Sequence, residues 1–193
     1  SIRLNRDTVL SSRTSLRDVV SLGFVGHDDV LTPQLTVREA LLHSAALRAP
    51  RSDGDNERLR QLVDATLHRL DLLAVANVPI GHASSTVLSS GQRRRVSIGL
   101  ELVSRCTVLL LDEPTSGLSS GGAQQVLQVL AKIAATGVTV VAVVHQPPAA
   151  QVCVFDQLLV MSNGQLRYAA APTAAAARAA LGDVNSPVHA MLE

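Results

Sequence analysis

Uninterrupted apolar runs alternate along this chain with stretches of helical periodicity. "LGFV" at 22–25 stops at Gly26 and a polar "HDD", as a buried strand stops at a loop. From Thr36 the period changes. Val37, Ala40, Leu41 and Ala45 fall at helical spacing, and Thr36 three residues before Glu39 makes a capping box. "RSDGDN" breaks the pattern, after which Leu59, Leu62, Val63, Thr66, Leu67 and Leu70 share one helical face. Residues 36–73 therefore read as a helical block between two strand-rich segments.

"TVLLL" is the next strand, and it ends in Asp112-Glu113. "GGAQQVLQVLAKIAATG" is a helix that turns Val126, Leu130 and Ile133 inward and closes at Gly137. "VTVVAVV" follows as a buried strand ending in His145-Gln146, and Asn163-Gly164 signals a two-residue hairpin. In the alanine-biased stretch after it, Pro172 is expected to start a short helix that ends at Gly182. There is no internal repeat. Uniformly apolar strands alternating with helices predict an α/β fold with a mainly parallel sheet covered on both faces. In such sheets ligands sit at the carboxyl ends of the strands.

Composition narrows the classes. A hydrophobic fraction of 47% with 17% charged residues fits a globular chain and not a disordered one. The net charge of +1 gives no reason to expect a nucleic-acid partner. The longest apolar run, "GVTVVAVV", is strand-sized and too short to span a bilayer. The N-terminus carries no signal or transit pattern and no initiator methionine, so the chain is expected to begin in mid-protein. Cys106 and Cys153 are isolated and flanked by apolar residues, which reads as two reduced core thiols in a reducing compartment, with a disulfide as the alternative.

The strand ends carry the candidate chemistry. A carboxylate such as Asp112 can hold hydrated magnesium, and an adjacent one, Glu113, can polarise a water. His145, one strand over, can donate to a developing phosphoryl charge. Each part has a plainer reading: paired acids often begin a solvated loop, a lone histidine often sits satisfied at a boundary, and "RRR" at 93–95 usually marks a solvated face. The order of the parts separates the readings. "LSSGQ" at 88–92 places Ser89 and Ser90 as N-cap candidates and Gly91 without a side chain ahead of a helix, which aims hydroxyls, free N–H groups and the helix dipole at one anion.

"LSSGQ" resembles the LSGGQ signature of ATP-binding cassettes, "VLLLDEPTSGL" their Walker B strand and D-loop, and "VVHQP" their switch histidine. "GFVGHDDVLTPQLTVREAL", "GQRRRVSIGLELV", "HQPP" and "FDQLLVMSNGQLRY" are similar to the G subfamily of ABC transporters, the White and pleiotropic-drug-resistance type, from Ser1 to about Gly182. The resemblance implies a P-loop-NTPase-like sheet with an inserted helical subdomain. It implies ATP and Mg2+ as cofactors, with Asp112 on the metal through water, Glu113 as general base and His145 on the γ-phosphate. Ser89, Ser90, Gly91 and Gln92 would bind the γ-phosphate of ATP held by a second, head-to-tail nucleotide-binding domain. A transmembrane domain of the same or a partner chain would anchor the assembly, with this domain on the cytoplasmic side.

The resemblance divides the chain into a partial ATPase core (1–30), a helical signature subdomain (31–105), a core segment with Walker B, D-loop and switch histidine (106–168) and a C-terminal alanine-rich tail (169–193). It also marks departures. No GxxxxGK[ST] phosphate loop occurs in the 193 residues, so the P-loop strand and helix are expected to be missing and the chain alone is expected to be inactive. His27 stands where the family has its Q-loop glutamine, Ser119 replaces the D-loop aspartate, and Ser90 replaces a signature glycine. The leading expectation is a fragment of a transporter that uses ATP hydrolysis to move a lipid-like or amphipathic substrate. A degenerate cassette that donates only its signature is the alternative. A chromosome-maintenance or DNA-repair ATPase ranks last, because only about sixty residues separate His27 from Leu88 and the charge is near neutral.

Overall fold

The computed structural model describes residues 2–4, 8–10, 21–48, 55–82, 87–145, 147, 149–162, 164–172 and 188–192. Strands β1 (Ile2–Leu4) and β2 (Thr8–Leu10) form an antiparallel pair. The main sheet has six strands in the order β3 (Leu22–Val25), β4 (Val108–Asp112), β5 (Thr139–Val144), β8 (Val188–Leu192), β6 (Gln157–Ser162) and β7 (Gln165–Ala170).

β3, β4 and β5 are parallel to one another, so their carboxyl ends share one edge. β8 runs antiparallel between β5 and β6, and β6 and β7 make the hairpin expected around Asn163-Gly164, with Gly164 at φ +73°. The α/β, P-loop-NTPase-like class stands, with its parallel part in the three strands that carry the candidate chemistry.

Helix α1 (Val37–Arg48) opens on the predicted capping box: Thr36 N–H donates to Glu39 Oε2 at 2.8 Å, and Glu39 N–H donates to Thr36 Oγ1 at 3.2 Å. α2 (Asp55–Arg69) buries Val63, Thr66 and Leu67, and Leu70 follows just past its end. Three further helices are α3 (Ser90–Leu102), α4 (Ser120–Ala134) and the single turn α5 (Ala149–Val152).

Two packing facts position the site. On α3, a Cβ at Gly99 would lie 2.8 Å from both Leu41 Cδ2 and Leu70 Cδ1, so only a glycine lets α3 seat this closely on α1 and the end of α2. α4 packs Val126, Leu127, Leu130 and Ile133 into the same core as Leu109, Leu111, Val140, Ala142 and Val144 of the sheet. Alternation along β3 leaves Leu22 and Phe24 exposed while Gly23 and Val25 are buried. Among the described residues, therefore, this edge of the sheet is covered on one face.

Cys106 is buried, as expected, but Cys153 is exposed, which corrects the reading of both as core thiols; neither is in a disulfide. Burial pushes the Cys106 thiol up from its ordinary value. The helix expected between Pro172 and Gly182 lies outside the described residues. No helix among the described residues is long and apolar enough to cross a membrane.

Candidate functional site

The parallel strands deliver three candidate residues to one edge. Asp112 is the last residue of β4 and pairs in register with Val143 of β5, so His145, one residue beyond β5, lies at the same edge, exposed. Glu113 leaves the strand at φ +47°, a left-handed conformation that few residues with a Cβ adopt. Two backbone bonds hold it there: Glu113 N–H donates to Val143 O at 2.9 Å, and Ser116 N–H donates to Glu113 O at 3.1 Å. From the neighbouring strand, His27 brings Nε2 to 3.9 Å from Glu113 Oε2, while its Nδ1 is 3.3 Å from Asp28 Oδ1.

The serine-glycine turn is a second cluster. Ser89 is the N-cap of α3, its Oγ accepting from Gln92 N–H at 3.2 Å, and Gln92 Oε1 accepts in return from Ser89 N–H at 2.8 Å. Ser90 is the first helical residue and exposed, and Gly91 is buried. A Cβ at Gly91 would meet Gly122 Cα at 3.5 Å, so the first turns of α3 and α4 lie side by side. Ser119 caps α4 by accepting from Gly122 N–H at 3.2 Å, which keeps a helix start where the family's aspartate is missing. Gln92, three residues after Ser89, is the sequence signal of this capping box.

The three arginines are where the solvated-face reading fails. All are buried, and each folds back to donate to backbone carbonyls. Arg93 bonds Ile80 O at 3.1 Å and Gly81 O at 2.8 Å; Arg94 bonds Gly26 O at 2.8 Å and His27 O at 2.5 Å; Arg95 bonds Leu70 O at 2.9 Å and Asp71 O at 3.2 Å. Burial pulls the Arg95 guanidinium below its ordinary value. The signal against a solvated face was in the helix itself: Val96, Ile98, Gly99 and Leu102 join the arginines in being buried, so three consecutive positions could not all face water. Each guanidinium staples a different loop or turn to α3 through its backbone carbonyls.

Among the described residues no three His, Cys, Asp or Glu side chains are grouped closely enough to hold a metal ion by themselves. Magnesium carried on phosphates and water needs only one or two carboxylates from the protein. Asp112, at the end of β4, is a carboxylate that fits that need, and the start of α3 fits an anion. A phosphate cradle of the GxxxxGK[ST] kind is not among these 193 residues.

Residues 1–116 match the ABC transporter family. The chain is 41% identical over 172 residues to ABC transporter G family member 19 of Arabidopsis thaliana, covering 89% of this chain and 23% of that protein. It is 40% identical over 173 residues to G family member 2 of the same plant, covering 90% of this chain and 22% of that protein. Against ABC transporter G family member 2 of Dictyostelium discoideum it is 43% identical over 141 residues, covering 73% and 10%. It thus spans less than a quarter of the length of these relatives. The chain belongs to the ABC transporter family, as a nucleotide-binding domain of the G-family type.

Proposed function

We propose that the protein to which this chain belongs couples ATP binding and hydrolysis to movement of a lipid-like or amphipathic substrate across a membrane. Bound MgATP supplies the phosphoryl group, the metal charge and most of the metal's ligands. Asp112 would hold that metal through water, Glu113 would take the proton of the attacking water, and His145 would donate to the γ-phosphate. His27 stands beside Glu113 and orients the same water or a metal-bound one, as donor or acceptor. Ser89, Ser90, Gly91 and Gln92 complete the ATP site of a second cassette, which meets this one head to tail.

Under this reading, residues 1–30 and 106–168 are core, 31–105 form the signature subdomain, and 169–193 lead toward a transmembrane domain, with the cassette on the cytoplasmic side. The observation that supports it is the 3.9 Å approach of His27 to Glu113 from adjacent parallel strands. It brings the two loops that the family places around the attacked phosphate to one edge of the sheet. The test is magnesium-dependent ATP hydrolysis by the intact protein reconstituted in lipid vesicles. Hydrolysis that amphipathic compounds stimulate supports the reading, and a protein that binds MgATP without turnover favours a cassette that lends only its signature.

A further inference from the structure

The strand-end cluster and the signature turn are joined by no direct polar contact. Among the described residues, no hydrogen bond or ion pair runs from Ser89, Ser90, Gly91 or Gln92 to Asp112, Glu113 or His145. Among the described residues, the side chain that joins α3 to the carbonyls of Gly26 and His27 is Arg94. Arg94 lies in the second turn of α3, is 5% exposed, and spreads its fork over two successive carbonyls of the loop after β3, those of Gly26 and His27. Asp29 closes the clamp: its Oδ1 is 3.3 Å from Arg94 Nη1 and accepts from Ser97 Oγ at 2.8 Å, one turn further along α3.

We infer that Arg94 is a positioning residue that ties the loop carrying His27 to the start of α3, so that a shift of His27 against Glu113 is passed to the signature turn. The inference rests on the proposed function for what the two ends do. Its physical basis is separate. A guanidinium with both terminal nitrogens bonded to consecutive carbonyls fixes the loop's direction as well as its distance, which a single ammonium cannot do. The Arg94 side chain is buried and its bonds to the loop are part-buried, which strengthens them relative to bonds in open water. Arg94 Nε is buried with no partner in the described structure. The fork is therefore held from the loop side alone, and its attachment follows the loop. Arg93 and Arg95 bond to other segments, at 80–81 and 70–71, and have no hold on His27.

Such a link makes one cassette's water-orienting loop and the signature it lends to its partner move together. The experiment uses the intact transporter in vesicles, with kcat counted per nucleotide-trapping site and the KM for MgATP measured in parallel. R94M is expected to lower kcat about tenfold while leaving KM within about twofold, with R94K recovering only part of the loss. Added to H27A, R94M should cost less than about twofold more, because both changes act on one element. A second variant, D29N, leaves the carbonyl bonds in place and is expected to lose about threefold in kcat with the same non-additivity; it carries the test if R94M fails to fold.

A wild-type kcat per site in R94M or D29N, or losses that multiply with H27A, would overturn the inference. These results are distinguishable from failure of the underlying reading. If the wild type does not hydrolyse ATP, or if E113Q hydrolyses it normally, the reading falls and the inference with it. If E113Q is inactive and R94M is normal, only the inference falls.

Discussion

His27 Nε2 lies 3.9 Å from Glu113 Oε2, although the two residues are 86 positions apart in the chain. β3 and β4 are parallel neighbours with Val25 opposite Leu111, so the residue two beyond each of these positions comes to the same edge. The chain needs no long side chain to join the two loops. If His27 orients a water for Glu113, His27→Ala should lower ATP turnover of the intact protein about tenfold, while His27→Gln should stay within about twofold, because an amide can also donate or accept one bond. Steady-state hydrolysis assays of the two variants check this, and an unchanged His27→Ala would remove His27 from the site.

Ser89 has two roles that substitution can separate. As N-cap it stabilises α3, and Ser89→Ala should cost about 1 kcal/mol, whereas Ser89→Gly should cost a few tenths. As a signature hydroxyl it would be lost equally in both. The expected pattern is a thermal midpoint that recovers in Ser89→Gly and a turnover that does not. Recovery of both would assign Ser89 to the fold alone.

At Gly99 the core has no room. The 2.8 Å approaches to Leu41 and Leu70 mean that Gly99→Ala must push α3 away from α1 or force those leucines off their rotamers, which costs about 1 to 3 kcal/mol. Urea denaturation should show a lower midpoint with an unchanged slope. A neutral Gly99→Ala would mean that α3 is seated less tightly than the structure has it.

Glu39 gives the fold a dependence on acid. The Thr36 backbone N–H and hydroxyl both donate to its carboxylate and hold its pKa below the usual carboxylate range. A lowered folded value means that the contribution is fully present above the unfolded value of about 4.3 and is lost as pH falls through the folded value. Thermal melts between pH 3 and 7 should therefore show a gap between the wild type and Glu39→Gln that is constant near neutrality and shrinks below about pH 4. A gap independent of pH would put the cap's strength elsewhere.

The parts of this molecule that depend on neighbours in sequence were legible. Periodicity gave β3, α1, α2, α4 and β5, spacing gave the Thr36-Glu39 box, and Asn163-Gly164 gave the hairpin, because each depends on contacts within a few residues. Insertion of β8 between β5 and β6 was not legible. It pairs antiparallel with two strands distant in the chain, β5 about fifty residues before it and β6 about thirty, which no local pattern announces.

The placement of Arg93, Arg94 and Arg95 was not legible for a related reason. Their charge suggested solvent, and their partners are carbonyls at 80–81, 26–27 and 70–71 that no local pattern announces. The acids and the histidine at the strand ends could be named from the chain order of the motifs. That His27 and Glu113 approach each other is information only the sheet's register holds.

In the proposed function this edge of the sheet activates a water for phosphoryl transfer, with Glu113 as the base. The direct measurement is ATP turnover and nucleotide retention in the intact transporter carrying Glu113→Gln, which keeps the side chain's shape and removes its basicity. If Glu113 is the base, kcat should fall about 100-fold or more, with ATP, not ADP, retained in paired cassettes. Turnover at the wild-type rate, or ADP as the retained nucleotide, would contradict it.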